Sequence, residues 1–117
     1  MIQEKAVDLG RLIGQSDEFK ALTHAREAIE GEKELNGKLE QLQKIAEGLE
    51  QKVAQGQEPE QSEADEYDRF LGEIQGDAAY QRMVSAQSNF DKLMLRVQDQ
   101  ILEGMRKGAK SPIITLS

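Results

Sequence analysis

Apolar residues recur at intervals of three and four along most of this 117-residue chain, a spacing typical of amphipathic helices. A first run ends at the break GQS, where Ser16 is suited to cap a second helix. Gly31 is placed to end that second helix. The pattern therefore predicts two N-terminal helices. Their inward faces are Ile2, Ala6, Leu9 and Ile13 in the first, and Phe19, Leu22, Ala25 and Ile29 in the second.

A third helix, from about Glu32 to Gln55, carries the most regular pattern in the sequence. Its apolar positions alternate steps of four and three without a fault, which makes a heptad seam. Gly56 follows and predicts the end of the helix. The seam residues are Leu35, Leu39, Leu42, Ala46, Leu49 and Val53.

Two further helices are predicted in the second half of the chain. A short fourth helix begins at Pro59 or Ser62 and closes at Gly76, and Asp77 caps a fifth helix that stops near Gly108. The apolar face of the fifth helix contains Tyr80, Met83, Val84, Phe90, Leu93, Met94, Val97, Ile101, Leu102 and Met105. The sequence thus predicts an all-α fold of about five helices. We expect one helical domain over residues 1–107 and a C-terminal tail over 108–117.

The length of the fifth helix bears on its partners. About 30 residues at 1.5 Å each give roughly 45 Å, more than the diameter of roughly 35 Å of a compact chain of this size. We therefore expect an elongated antiparallel bundle, a coiled-coil hairpin of the third and fifth helices with shorter N-terminal helices. Surplus apolar surface would then join copies into a dimer or larger homo-oligomer. The predicted self-association seam comprises Leu35, Leu39, Leu42, Ala46, Leu49, Val53, Phe90, Met94, Val97 and Ile101.

The two glycines inside the third helix, Gly37 and Gly48, lie on the face opposite its seam. One interpretation is that they simply face solvent. The other is that they form a smooth groove against which another helix packs closely. The sequence leaves both open.

Composition excludes several kinds of chemistry. The chain has no Cys and one His, His24, so we expect no disulfide, no catalytic or metal-binding residues and no cofactor. The acids of residues 58–66 are interpreted as a solvated loop. A net charge of −7 repels phosphate backbones and anionic lipid, so we expect no direct nucleic-acid or membrane partner. Because a signal peptide and a membrane-spanning run are not recognisable, we expect a cytoplasmic location.

One stretch, AVDLGRLIGQSDEFKALTHAREAIEGEKEL, contains a helix ending in Leu-Gly-x-x-Ile, a Ser-acid-acid cap, and a second helix followed by a charged turn. A long helix, a turn with Gly and Pro, and a last helix with Tyr near its start complete the order. Over roughly residues 3–105 the chain resembles the YlbF/YmcA family of small helical bacterial proteins, the control-of-competence regulators, including the YheA-like branch.

The resemblance implies a cytoplasmic, non-enzymatic protein that self-associates or pairs with paralogues. Some family members act as a complex that promotes competence, sporulation and biofilm formation and that modulates RNA processing through a ribonuclease partner. Those members bind iron–sulfur clusters through cysteines. This chain has none, so cluster binding is not carried over, and no functional residue transfers by position.

Two functions are consistent with this sequence. The first is a non-enzymatic regulator or adaptor that binds protein partners and itself through helical faces. The alternative is a chaperone-like coiled-coil protein that holds clients between helix tips. An enzyme is not expected, since no nucleophile or acid–base pair is arranged by the sequence.

Overall fold

Five α-helices account for nearly all of residues 1–110, the part of the chain that this computed structural model describes, and no strand occurs there. The predicted all-α class and the five helices are confirmed. The last helix continues through Gly108 to Lys110, and the rest of the predicted tail, residues 111–117, lies outside the described residues. The helices are α1 (Ile2–Gly14), α2 (Asp17–Glu30), α3 (Lys33–Ala54), α4 (Gln61–Gln75) and α5 (Ala78–Lys110).

Side-chain caps fix two of the helix boundaries. The Ser16 hydroxyl accepts a hydrogen bond from the Phe19 N–H at 3.1 Å and donates to the Ile13 carbonyl at 2.6 Å, so it joins the end of α1 to the start of α2. The Asp77 carboxylate accepts from the N–H groups of Ala79 and Tyr80, at 2.8 and 3.2 Å, at the start of α5. Both predicted caps are confirmed.

The end of α3 depends on glycine. Gly56 has a φ of +75°, a left-handed conformation that side chains other than glycine rarely adopt. Its N–H donates to the Val53 carbonyl at 3.1 Å, and the N–H of Gln57 donates to the Lys52 carbonyl at 2.8 Å. These two bonds form a Schellman motif, which satisfies carbonyls that the helix leaves free.

The helices pack as two pairs. α2 packs along α5 in one pair, here called the long arm, and α3 packs along α4 in the other, the hairpin arm. The expected pairing of α3 with α5 is not observed. The reason is that consecutive helices joined by short connections become neighbours, so α3 folds back on α4 directly. Most of the α3 seam is thus partly covered by α4 instead of α5.

The most buried residues lie where the two arms meet, at a junction formed by the ends of four helices. Ile29 and Ile74 lie near the ends of α2 and α4, and Leu35 and Ala79 lie near the starts of α3 and α5. Ile74 is only 1% exposed, the most buried large side chain described. A second cluster, inside the long arm, contains Leu22, Ala25 and Ala86, with Met83 and Phe90 packed against it.

The molecule is long and thin, as expected. Its dimensions are 69 × 37 × 19 Å, and its radius of gyration is 21.7 Å, compared with about 13 Å for a compact domain of similar length. Since a helix with its side chains is about 10–12 Å across, 19 Å leaves room for barely two helices. Each arm therefore keeps faces that no third helix within the described part of the chain covers.

Within residues 1–110, none of the helices is both long and apolar enough to cross a membrane. The 33-residue α5 is long enough, at roughly 50 Å, but charged residues recur along it.

Truncation of the junction should destabilise the whole molecule. We expect Ile74→Ala to lower the free energy of unfolding by about 2–5 kcal/mol, because it leaves a cavity among four helix ends. The control is Val53→Ala, at a side chain that is 66% exposed, which should change stability by less than about 0.5 kcal/mol. Urea unfolding followed by circular dichroism measures both. Equal effects would contradict the central role of the junction.

Candidate protein-interaction site

The first helix has an apolar face that the rest of residues 1–110 does not cover. Of its residues only Leu9 and Ile13 are even partly buried, whereas Ile2 is 83% and Leu12 is 65% exposed. α1 contacts α2 and makes no contact with the other three helices. An amphipathic helix in this position lacks the partner that normally stabilises it.

The last third of α5 is also uncovered. α2 covers α5 up to Arg96. The Phe19 and Phe90 rings lie 5.8 Å apart, and further along α5 Glu18 pairs with Arg96 at 3.5 Å. Beyond this point lies the α5 overhang, residues 97–110. Only Val97 in it is partly buried. Its large apolar side chains are Ile101 and Leu102, each 48% exposed, and Met105, 64% exposed.

These two uncovered segments belong to the same end of the long arm. α1 is attached to α2 beside the point where α2 stops covering α5, yet no Cα atom of α1 lies within 8 Å of one in α5. The two helices diverge from neighbouring points. Together, α1 and the α5 overhang form what we call the open end of the molecule.

The structure divides the predicted self-association seam. Leu35 is buried in the junction, Leu39, Leu42, Ala46 and Leu49 are partly buried on α3, and Val53 is exposed. On α5, Phe90 packs against the α2 cluster, Met94 and Val97 are partly buried, and Ile101 is exposed on the overhang. Most of the seam residues on α3 are therefore buried or partly buried within the chain. Association through any of these residues stays a prediction.

Sequence reasoning missed the large apolar surface that α1 leaves open. Val7 and Leu12, exposed by 61% and 65%, lie outside the four-residue stripe, and they widen the apolar part of this helix. Their presence was the available signal, because a short helix covered on one side only does not need them.

Ion pairs border the seam between α3 and α4. Lys38 pairs with Glu73 at 3.5 Å, and Lys52 pairs with Glu63. The hydrogen bond to Glu63 raises the pKa of Lys52 above its ordinary value of 10.5; partial desolvation opposes this, and the charges of Glu63 and Glu60 add to it. The folded chain thus holds this proton more tightly than the unfolded chain.

That pKa shift predicts a dependence of stability on alkaline pH. Because the folded pKa is raised, the contribution of Lys52 is complete below its ordinary value of 10.5 and is lost as pH rises through the folded value. We expect Lys52→Gln to be less stable than the wild type at about pH 8, and the gap to narrow towards about pH 11. Thermal unfolding at a series of pH values measures this difference in stability between the variant and the wild type. Lys107→Gln, which removes a pair within one helix, is the control, and a gap that widened with pH would contradict the assignment.

Charge is distributed unevenly along the chain. Residues 56–75, here called the acidic segment, contain seven carboxylates and one guanidinium, a net charge of −6. α3 carries four basic and four acidic residues and is neutral. The overhang carries three basic and two acidic residues, a net charge of +1. Nearly all of the net charge of −7 therefore lies in the hairpin arm and not in the open end.

Residues suited to chemistry are scattered. His24 is exposed beside a cleft that several alanines and Arg82 line between α2 and α5. Across residues 1–110 no three of His, Cys, Asp and Glu come together in a way that could hold a metal ion. The open end is thus the feature of the described chain that most needs explanation.

Comparison with known proteins identifies the family. A family model described as "Control of competence regulator ComK, YlbF/YmcA" matches residues 2–106. This chain belongs to the YlbF/YmcA family. The resemblance found in the sequence is confirmed, and the match extends over α1 to most of α5. A UPF0342 protein of Bacillus mycoides (strain KBAB4) is 23% identical over 106 residues, which cover 91% of each chain. No solved structure gives a significant match.

Substitution tests whether the two interior glycines of α3 face solvent or form a groove against which another helix packs. A Cβ atom added at Gly37 or Gly48 would meet no neighbouring atom within 4 Å. We expect Gly37→Ala and Gly48→Ala each to raise the free energy of unfolding by up to about 1 kcal/mol, because alanine loses less backbone entropy in a helix.

The control for these two substitutions is Gly56→Ala, which should be destabilising because of the positive φ of Gly56. Thermal unfolding and light scattering together test both interpretations. If alanine at position 37 or 48 changed the oligomeric state, the groove interpretation would replace that of a solvent-facing glycine.

Proposed function

We propose that this member of the YlbF/YmcA family is a non-enzymatic regulatory protein of the cytoplasm. It acts as an adaptor that binds other protein chains, including copies of itself, through exposed helical faces. The description of the family as a control-of-competence regulator supports the regulatory part. In this proposal it reaches RNA processing and development only through protein partners.

The open end is the observation that carries the proposal. Soluble monomers rarely expose contiguous apolar patches larger than a few hundred Å². Here two helical segments present several large apolar side chains that are about half or more exposed, among them Ile2, Leu12 and Met105. Surfaces of this kind bind protein when the apolar face of another helix is laid against them.

Two further observations favour an adaptor over an enzyme. The cleft near the start of α5, with a volume of about 490 Å³, is lined by Gln75, Tyr80, Gln81, Val84 and Ser85, which include no carboxylate, amine, guanidinium or imidazole. The acidic segment also makes direct contact with nucleic acid unfavourable, because its charge repels the phosphate backbone. The proposed ligands are therefore proteins.

Affinity capture from cells of the source organism tests this function. The baits are the wild type, Leu12→Glu in the open end, and Val53→Glu at the tip of the hairpin arm. The Leu12 and Val53 side chains are 65% and 66% exposed, so the two substitutions should affect folding to a similar extent. We expect the wild type and Val53→Glu to retain one protein in stoichiometric amount and Leu12→Glu to lose it.

Three outcomes would oppose the proposal. Absence of any stoichiometric partner, or equal capture by Leu12→Glu, would remove the adaptor role from the open end. Capture of many unrelated unfolded proteins would instead support the chaperone-like alternative.

A further inference from the structure

The two arms of the molecule are held together by contacts of different strength. We infer that the hairpin arm opens from its tip, residues 52–63, while the junction and the long arm stay folded, and that the pair of Lys52 with Glu63 is the latch that holds it closed. Opening exposes the seam of α3, so the closed hairpin conceals a second apolar helical face. This inference does not involve the open end, and it goes beyond the proposed function.

The first argument is burial. Within residues 1–110, every buried side chain lies at the junction or in the cluster of the long arm. Between Leu35 on α3 and Ile74 on α4 the hairpin arm contains no buried residue, and its seam residues, among them Leu42 and Leu49, are only partly buried. Regions with few buried apolar contacts open locally at the lowest free energy. The hairpin arm beyond the junction is such a region.

The second argument is helix capping. The two helices of the long arm, α2 and α5, begin with side-chain caps at Ser16 and Asp77. The two helices of the hairpin arm, α3 and α4, begin after Glu32 and Glu60, and neither of these side chains caps its helix. An uncapped start leaves backbone N–H groups without a protein partner, which makes a helix easier to unfold.

Glycine adds to this difference between the arms. Gly37, Gly48 and Gly72 lie inside α3 and α4, and a Cβ atom added at any of them would meet no neighbouring atom within 4 Å. α2 contains no glycine, and the glycines of α5 lie in the overhang. Because glycine is a poor helix former, α3 and α4 depend strongly on their contacts with each other.

Charge opposes closure at the tip. The acidic segment has a net charge of −6, and carboxylates recur three residues apart on α4, as in Glu63 with Glu66 and Asp65 with Asp68. Like charges at this spacing destabilise a helix. The α3 cation nearest the tip is Lys52, and it pairs with Glu63 across the two helices. This pair therefore offsets part of the repulsion at the point where the arm is weakest.

The base of the hairpin arm is held more firmly than its tip. Leu35 and Ile74 are 3% and 1% exposed, and the Asn36 amide donates to a carbonyl in the last turn of α2 at 2.9 Å. Lys38 pairs with Glu73 beside the junction. Burial thus decreases from base to tip, so opening begins at the tip and stops at the junction.

Hydrogen exchange of the purified full chain, followed amide by amide by NMR, tests the inference. We expect amides of residues 47–54 and 65–70 to have protection factors at least about tenfold lower than those of residues 82–93 in α5. Equal protection in the two arms would show that the chain opens in a single step and would overturn the inference. Exchange of the hairpin amides at the rate of an unfolded chain would overturn it as well, since the closed hairpin would then not be the resting state.

Three variants test the latch in the same experiment. Lys52→Gln should lower the protection of the hairpin amides by a further factor of about two to five, because it removes a partly exposed ion pair. Asp68→Asn, which removes a negative charge from an exposed position on α4, should raise it. The control is Arg96→Gln, which removes the pair with Glu18 in the long arm and should leave the hairpin amides unchanged. No response to Lys52→Gln, or an equal response to Arg96→Gln, would contradict the latch.

Thiol labelling tests whether opening exposes the α3 seam, and the absence of natural Cys makes it simple. Ala46→Cys places a thiol on the seam, and Ala86→Cys places one in the cluster of the long arm. Adding Lys52→Gln should speed the reaction of the thiol at position 46 with a bulky maleimide and leave the thiol at position 86 unaffected. Equal acceleration at both positions would indicate unfolding of the whole chain, and an unchanged rate at position 46 would show that the seam stays covered. Either result would overturn the inference.

Discussion

The packing of four helix ends around Ile74 is the contact on which the rest of the architecture depends. The chain passes through this point twice, at residues 30–33 and 75–78, and both connections are closed by hydrogen bonds. The Asn36 amide donates to the Ile29 carbonyl at 2.9 Å, and the Gln81 amide donates to the Gln75 carbonyl at 2.9 Å. Because the connections are short and tied down, the direction in which each arm leaves the junction is set locally.

The same constraint leaves the arms poorly covered. Two helices that pack side by side can bury one stripe each. The remaining helix of residues 1–110 is α1, which contacts α2 alone and therefore does not cover the other stripes. α5 is much longer than the α2 that covers it, so its surplus stripe ends in solvent. The exposed surface is thus a consequence of unequal helix lengths around a fixed junction. Shortening α5 would remove that surface without altering the core.

Much of the fold could be predicted because it depends on local chemistry. Ser16 and Asp77 cap helices through their own side chains, and Gly56 ends α3 through a backbone conformation that residues other than glycine rarely adopt. The choice of helix partners could not be predicted in this way. The heptad seam of α3 requires an apolar stripe opposite it, but the stripe that ends at Ile74 in α4 meets that requirement as well as α5 does.

The uncovered apolar surface was harder to predict for a related reason. An amphipathic stripe has the same sequence whether its cover comes from the same chain or from another, so the pattern of α1 alone does not distinguish the two. Whether the cover comes from the same chain depends on how many of its helices are left to cover α1 after the helix pairs have formed. That count depends on the pairing, which the sequence pattern leaves undetermined. In the α5 part of the expected seam Ile101 is exposed and Phe90 packs against the α2 cluster, while the α3 part lies mostly within the chain. Association through these residues stays a prediction.

Apolar surface and charge occupy different ends of this molecule, and this separation has a consequence for regulation. If association covers the open end, it stabilises the folded state by mass action, so stability increases with the concentration of the chain. The acidic segments remain exposed in such an assembly and repel anionic partners while leaving basic protein surfaces able to approach. A chain without cysteines has no thiolate through which a metal cluster could control that equilibrium. Within this proposal, concentration and competing protein partners control it.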